Sequence, residues 1–160
     1  MATLIERDAG VLGALAEVFP TWQGEGIHVG RRHLFVRLAG CDVGCRFCDT
    51  PSALRRPARF VVRSAGGEAT HDNPIDAARA ASLVLDVARS DGPFHRLAVT
   101  GGEPLEQPAF LADLLRRLVD GGAPPVLLET AGTEPDALAE VIGSVATVSM
   151  DVKLPSVAAT

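Results

Sequence analysis

The cysteines of this 160-residue chain all lie within eight residues of one another. They are Cys41, Cys45 and Cys48. The segment follows an apolar run that ends at Gly40, so the thiols belong to one loop rather than to separate parts of a core. Structural zinc takes four protein ligands, and iron–sulfur electron carriers normally use four cysteines. Three thiols therefore favour a cluster with one open iron. The alternatives are a zinc site completed by His28 or His33, and buried thiols without a metal.

Motifs on both sides of this loop follow in a fixed order. Upstream are the glycine-bounded loop 21–26 and the apolar segment 33–39; downstream are Thr-Gly-Gly-Glu-Pro at 100–104 and Glu-Thr-Ala-Gly-Thr at 129–133. With Phe47 before the last cysteine, the cysteine spacing resembles that of radical S-adenosylmethionine (SAM) enzymes. Across residues 18–156, the whole order closely resembles the 7-carboxy-7-deazaguanine synthase family.

The resemblance implies a 4Fe-4S cluster on the three cysteines, with SAM on the fourth iron. It also implies a Mg²⁺ ion at Thr50, whose hydroxyl is a hard oxygen donor. In the fourth strand the match is loose, because many members read Ser-Pro-Lys where this chain reads Ser-Met-Asp-Val-Lys. The residues implied to contact SAM are Phe47, Cys48, Asp49, Gly102, Glu103, Ser149, Asp151 and Lys153.

The family's reaction converts 6-carboxy-5,6,7,8-tetrahydropterin to 7-carboxy-7-deazaguanine with release of ammonia, on the route to queuosine and related deazapurines. The residues that the resemblance places at the substrate are Trp22, Gln23, Gly24, Glu25, Arg37 and Thr100. From the residues alone, the loop around Gln23 is equally an ordinary glycine turn. Arg37 interrupts a buried strand, so it either pairs with a neighbouring carboxylate or faces a ligand acid.

Composition limits the other function classes. A net charge of −5 argues against a nucleic-acid-binding surface, which usually carries a basic stripe. No apolar run is long enough for a membrane span, and the N-terminus lacks the pattern of a secretory signal. Reduced thiols indicate a reducing compartment, so we expect a cytoplasmic protein. The resemblance adds a flavodoxin- or ferredoxin-type reductant as partner.

Strand and helix patterns alternate along the chain, which predicts an α/β fold with a parallel sheet. With the resemblance, this is a partial (β/α) barrel of the radical SAM type, forming a single domain over 1–160. We expect strands near 33–39, 97–99, 125–130 and 147–153, and helices near 73–90, 106–119 and 135–142. Residues 1–16 read as an irregular arm or short helix. Residues 52–73 read as an insertion with an edge strand at 59–63.

The sequence ends soon after the fourth predicted strand, where family members continue with further strand–helix units and substrate contacts. The barrel is therefore expected to be shortened at its C-terminus, leaving an open sheet edge. A truncated sequence, a covering partner and a genuinely short barrel all explain this. We favour truncation, or a short form whose active site is completed in a homodimer.

Two other functions stay open at this point. A glycyl-radical activating enzyme shares the three-cysteine loop, although the loop around Gln23 and the buried Arg37 speak against it. A truncated, non-catalytic module that binds a metal or an iron–sulfur cluster is the second. His71 and His95 have no partner motif and are assigned no function.

Overall fold

The structure is a computed structural model that describes residues 10–154. Predictions for residues 1–9 and 155–160 lie outside the described residues. The strands are β1 (Leu12–Gly13), β2 (Leu15–Trp22), β3 (Arg32–Leu38), β4 (Arg59–Ser64), β5 (Gly67–Asp72), β6 (Ile75–Asp76), β7 (Arg96–Gly101), β8 (Val126–Thr130) and β9 (Thr147–Met150). The helices are α1 (Ala77–Asp91), α2 (Pro108–Asp120) and α3 (Pro135–Val141). None of the helices within 10–154 has the length and apolar character to cross a membrane.

One sheet organises the molecule, with strand order β5-β4-β2-β3-β7-β8-β9. Strands β3, β7, β8 and β9 are mutually parallel, and α1, α2 and α3 lie in the connections between them. These are the four strands and three helices that the sequence predicts, so the α/β class with a parallel sheet is confirmed. β1 and β6 form a separate two-stranded ladder.

The N-terminal strand β2 was not predicted. The described part of the expected arm, residues 10–16, contains β1 and the start of β2 rather than a helix. β2 runs antiparallel to β3, and its register shifts between Leu15 and Glu17. This irregularity interrupts the alternation of buried and exposed residues that identifies a strand in sequence.

The predicted insertion forms the hairpin β4–β5, which extends the sheet. β4 confirms the strand expected at 59–63, but β5 covers it and is itself the edge strand. Helix α1 begins at Ala77 rather than near Asn73, because the Asp76 carboxylate accepts from the backbone N–H groups of Ala78 and Arg79 at 2.8 and 3.2 Å. The Asn73 side chain instead bonds to the backbone of Leu15.

The two faces of the sheet differ in character. The face under the helices carries the main core, to which Leu34, Val36 and Leu38 of β3 contribute. On the opposite face, Phe35 belongs to a small apolar cluster, and the rings of Phe19 and Phe35 stack with centroids 5.3 Å apart. Because neighbouring residues of a strand alternate between faces, Arg37 lies on the same face as Phe35. This second face leads towards the candidate site.

Near the N-terminal ends of β3 and β7, three imidazoles lie together. They belong to His28, His33 and His95. His33 is fully buried, and neither of its ring nitrogens has a hydrogen-bond partner. Burial lowers the pKa of His33 to about 4, with further lowering from His95, His28 and Arg96. At neutral pH this imidazole is therefore uncharged.

We expect His33 to make the fold acid-sensitive. The unfolded chain takes up the imidazole proton below pH 6.5, whereas the folded chain resists it until about pH 4. The His33 contribution to the free energy of unfolding therefore keeps its full value above pH 6.5. It falls by about 2 kcal/mol towards pH 4, a figure that allows for screening by solvent. Urea unfolding with EDTA between pH 4.5 and 7.5 should show a shallower pH slope in His33→Gln, whereas His71→Gln keeps the slope. Equal slopes in all three proteins would contradict the expectation.

Candidate functional site

A cleft of about 390 Å³ opens at the C-terminal edge of the parallel strands. This is the edge where parallel α/β folds place their chemistry. Its lining includes the cysteine loop, the glycine pair after β7, the end of β8 and the segment that begins in β9. The cysteines, all half-buried with free thiols, belong to this lining.

The cysteine loop is held by backbone hydrogen bonds to the turn that follows it. Gly40 N donates to Ala53 O at 2.7 Å, and Cys41 N donates to Leu54 O at 3.2 Å. Within the loop, Cys48 N donates to Cys45 O at 3.2 Å. The thiols are therefore presented by an ordered loop.

The glycine pair packs directly against this loop. A Cβ on Gly102 would lie 2.1 Å from Gly40 O and 2.8 Å from Cys41 Cβ. Gly101 has φ +146° and would place a Cβ 2.2 Å from Leu38 O. The backbones approach so closely that Gly102 N donates to Leu38 O at 3.1 Å. Glycine at these two positions is a steric requirement of the site.

Glu103 joins the ends of two strands beneath the cleft. Its side chain is almost fully buried, at 1% exposure. One carboxylate oxygen accepts from Leu105 N at 3.0 Å and from Thr130 Oγ1 at 2.6 Å. The other accepts from Ala131 N at 2.7 Å. These three bonds give Glu103 a structural function beside the SAM contact that the resemblance implies.

Carboxylates near Cys41 influence its thiol. Burial raises the pKa of Cys41, and the charges of Glu106 and Glu103 raise it further, against backbone N–H groups of the loop that lower it. Glu106 accepts from Asp42 N at 2.7 Å, and burial is the main cause of its own raised pKa. A metal on Cys41 must therefore displace a proton.

The predicted SAM residues of the fourth strand all reach the cleft. Ser149, Asp151 and Lys153 line it. The Lys153 ammonium lies 4.9 Å from the ring centroid of Phe47, a cation–π contact, and it also pairs with Asp151. Burial lowers the pKa of Lys153, but Asp151 and then Cys45 outweigh this effect, so the pKa is raised. Lys153 is thus a cation fixed beside the cysteine loop.

The predicted magnesium residue also lines the cleft. Thr50 lies at the start of the turn after the cysteine loop, and its hydroxyl donates to Asp49 Oδ1 at 2.9 Å. The two side chains therefore present neighbouring oxygens at the mouth of the cleft. The Mg²⁺ assignment stays a prediction.

The loop after β2 folds over the face of the sheet that carries Phe19 and Phe35. Gln23 is buried, and its amide donates to Glu129 Oε1 on β8 at 2.7 Å. This bond crosses 106 residues of sequence and brings Glu25 into the lining of the main cleft. Gln23 and Glu25 also line a smaller adjoining cavity of about 190 Å³. The two cavities are therefore lined by one loop.

Trp22, one of the predicted substrate residues, lies away from the cleft. Trp22 is 66% exposed and pairs with Arg32, at the far end of β3 from the cysteines. Alternation along β2 puts it on the face opposite Phe19. This position speaks against the predicted substrate contact of the Trp22 side chain. The sequence missed this because the strand β2 was not recognised.

Arg37 realises the alternative of an ion pair. Its Nε lies 3.0 Å from Glu17 Oε1, directly across the β2–β3 ladder. Glu17 also pairs with Arg63 at 2.6 Å. Arg37 is not part of the cleft lining, although its register partner Thr100 is. The opposition of Glu17 and Arg37 could be found only once β2 was known to pair with β3.

Most of the predicted residues do converge on the cleft. Those that line it are Glu25, Cys41, Cys45, Phe47, Cys48, Asp49, Thr50, Thr100, Gly102, Glu103, Ser149, Asp151 and Lys153. Gln23 lies behind them, whereas Gly24, like Trp22 and Arg37, is not in the lining. The lining residues that no site prediction named are Val43, Leu54, Gly101, Glu129, Thr130 and Ala131, of which the last three belong to the motif at 129–133.

The donor set fits a cluster better than a single ion. Among the described residues that line the cleft, no three His, Cys, Asp or Glu side chains stand at the distances of a single-ion site. The zinc alternative with His28 or His33 is wrong, because those imidazoles lie at the opposite end of β3 from Cys41. Three thiols that share a cleft with open space match a cluster with one exchangeable position.

Such a site, at the C-terminal edge of a parallel α/β sheet, defines the class of proteins whose cysteine loop can hold an iron–sulfur cluster beside a ligand cleft. Comparison with known families gives the same class. The Radical SAM superfamily model matches residues 35–157, and this chain belongs to that superfamily.

Comparison with individual proteins indicates a narrower family than the superfamily model does. The chain is 36% identical over 143 residues to a 7-carboxy-7-deazaguanine synthase of Methanopyrus kandleri, covering 88% of this chain and 56% of the relative. A protein of the same name from Geobacter sulfurreducens is 37% identical, with 89% and 57% covered. The crystal structure of QueE from Escherichia coli matches with a TM-score of 0.53 and 26% identity, over 77% of this chain and 54% of that one. The chain thus spans little more than half the length of these relatives.

Proposed function

We propose that this chain carries the cluster and SAM-binding half of a 7-carboxy-7-deazaguanine synthase. One observation carries the proposal: the cysteine loop, the Gly-Gly-Glu segment and Glu129 line the same cleft. The amide of Gln23 donates a hydrogen bond to Glu129 from behind this lining. The first two features belong to radical SAM chemistry in general. The third supplies polar groups for a substrate edge, and relatives at 36% and 37% identity carry this enzyme's name.

A 4Fe-4S cluster bound here with SAM would supply the one-electron reductive cleavage of SAM that generates a radical. The chain's residues bind and orient the reactants. The three thiolates would hold three irons, and the cleft beside the loop would leave space for the amino acid part of SAM. The cleft lining favours a cationic ligand, because its carboxylates outnumber Lys153. These carboxylates belong to Glu25, Asp49, Glu103, Glu129 and Asp151.

For the substrate we propose 6-carboxy-5,6,7,8-tetrahydropterin. The carboxylates of Glu25 and Glu129 can accept hydrogen bonds from the N–H groups of its ring. Thr100 is 9% exposed and lies next to Arg37 across the ladder, so the two can orient a ligand carboxylate together. Arg37 donates from Nε to Glu17, so its terminal nitrogens are the groups that we propose for the ligand carboxylate.

The remaining parts of the proposal rest on the reaction. Thr50 and Asp49 would hold the Mg²⁺ that assists ring contraction with loss of ammonia. Cluster reduction calls for a flavodoxin- or ferredoxin-type donor, and a reducing compartment such as the cytoplasm preserves the thiols. A homodimer is the proposed assembly, in which a second copy completes the site.

The experiment is electron paramagnetic resonance of the anaerobically reconstituted, dithionite-reduced chain, with and without SAM, followed by product analysis. We expect a reduced 4Fe-4S signal that changes on SAM addition, because SAM binds the open iron. With the carboxytetrahydropterin and Mg²⁺ present, we expect 7-carboxy-7-deazaguanine and ammonia in equal amounts. Samples without SAM should yield neither.

Other results separate the alternatives. A SAM-dependent signal with radical formation on a glycine-containing protein, and none with the pterin, would indicate a glycyl-radical activating enzyme. A cluster whose signal ignores SAM would indicate a non-catalytic module. A SAM response without product would overturn the proposal that two copies of this chain complete the site.

A further inference from the structure

A second candidate site lies at the end of the sheet away from the cysteine cleft. His33 is the second residue of β3, His95 immediately precedes β7, and His28 lies in the loop between β2 and β3. Their ring centroids are 5.0 Å apart for His28 and His95, 5.7 Å for His33 and His95, and 5.9 Å for His28 and His33. By strand rise, Leu38 at the cleft end of β3 is roughly 16 Å from His33.

The ring nitrogens of this group are poorly satisfied. His95 Nε2 lies 3.3 Å from His28 Nδ1, which is the one hydrogen-bond contact recorded among the three rings. Both nitrogens of His33, and Nε2 of His28, are buried without a partner. An unpaired buried polar atom destabilises the fold, because it has lost its hydrogen bonds to water without replacement. Three such atoms in one group of imidazoles call for a ligand that imidazole nitrogens bind.

The spacing matches that of zinc bound by imidazoles. Two nitrogens at 2.0 to 2.1 Å from a tetrahedral ion are about 3.3 Å apart, and the centroids of their rings are about 5 Å apart. The contact of His28 with His95 has both of these values, at 3.3 and 5.0 Å. The centroid of His33 is less than 1 Å beyond the same spacing from each. Neutral imidazole is the form that binds a metal.

We propose that His28, His33 and His95 form a site for a divalent transition-metal ion such as Zn²⁺, with the fourth position open to water. Within the described part of the chain, no three side chains already stand at single-ion distances, so binding requires rotation of rings. His28 and His95 are partly exposed, whereas His33 is buried in the core, so we assign the rotation to His28 and His95. The site is separate from the cysteine cleft and does not rest on the proposed function.

Nearby charges limit the affinity. Burial lowers the pKa of both His33 and His95, and the charge of Arg96 lowers both further, as that of Arg31 does for His95, so two guanidinium groups lie near the imidazoles. The same positive charge opposes a bound cation. We therefore expect micromolar rather than picomolar binding.

The test is calorimetric titration of Zn²⁺ at pH 7.5 into the whole chain after its thiols are blocked with iodoacetamide. We expect one equivalent to bind. Co²⁺ in place of Zn²⁺ should give the visible bands of a nitrogen-ligated ion without thiolate charge-transfer absorption. His33→Gln, and separately the more exposed His95→Gln, should weaken Zn²⁺ binding about 100-fold, as loss of a ligand does.

His71 provides the matched control. It is the one histidine of the chain outside the proposed site, and it packs against Phe60. His71→Gln should bind Zn²⁺ as the parent protein does. Circular dichroism of each variant identifies loss of folding, and His95→Gln keeps the test valid if His33→Gln unfolds. No stoichiometric binding, or equal binding in the parent, His33→Gln and His95→Gln, would overturn the proposal.

Discussion

Gly102→Ala is expected to abolish cluster assembly and to lower the stability of the chain by about 3 kcal/mol. The added methyl group would lie 2.1 Å from Gly40 O and 2.6 Å from Gly40 C. These are backbone atoms, so a side-chain rotation cannot relieve the clash. The hydrogen bond from Glu103 N to Gly40 O, at 2.9 Å, would break as the two segments separate. Iron content after reconstitution and urea unfolding measure the two effects.

Gly143→Ala is the matched control for this substitution. Gly143 is exposed, its φ lies outside the left-handed region, and a Cβ there would meet nothing within 4 Å. It should retain the iron content and the stability of the parent protein. If Gly102→Ala also assembled a full cluster, the close approach of the glycine pair to the cysteine loop would not be required.

Glu103→Gln is expected to destabilise the chain by about 2 to 3 kcal/mol. The carboxylate accepts on both oxygens, from Leu105 N and Thr130 Oγ1 on one and from Ala131 N on the other. In either orientation, the glutamine amide would direct an N–H group at a backbone N–H group. Because the group is buried, water cannot compensate. Thermal or urea unfolding measures the loss.

Glu106→Gln makes the same chemical change one turn away. Glu106 accepts one hydrogen bond, from Asp42 N at 2.7 Å, and the amide oxygen of glutamine can keep it. We expect a loss below about 1 kcal/mol. If Glu103→Gln left stability unchanged but removed the response of the cluster to SAM, the side chain would serve SAM and not the fold.

These two predictions concern the same junction. Gln107 follows it and donates to Ala14 O and Ala39 O while accepting from Ala14 N, all between 2.8 and 3.0 Å. A single buried amide thus ties the segment before β2 to the residue after β3. Nothing in the sequence around Gln107 marks it as a residue that positions the cysteine loop.

Local patterns were sufficient for much of the fold. The strands at 32–38, 96–101, 126–130 and 147–150 were recognised because each is a short apolar run that ends in polar or glycine residues. The helices were recognised from apolar positions at helical spacing, with errors of a few residues at their starts. At α1 the error arose because Asp76, and not Asn73, caps the helix.

Pairings between distant segments could not be read in this way. Glu17 and Arg37 meet because β2 lies antiparallel to β3. Gln23 meets Glu129 because the loop after β2 crosses the face of the sheet opposite the helices. Trp22 was grouped with its neighbours in sequence. It is the last residue of β2 and follows the alternation of that strand, whereas Gln23 begins the loop. His95 was assigned no function, since its proximity to His28 and His33 arises only in the folded chain.

The sequence by itself determined which chemistry the chain can carry. Thiol spacing within eight residues and a Gly-Gly-Glu segment are local properties, and a loop expresses them wherever the fold places it. Tertiary structure alone decided which side chains face the cleft, which carboxylates are consumed by hydrogen bonds, and where three histidines meet. The reason is that sheet register and burial depend on contacts across the whole chain, and such contacts leave no periodic trace in the residues that make them.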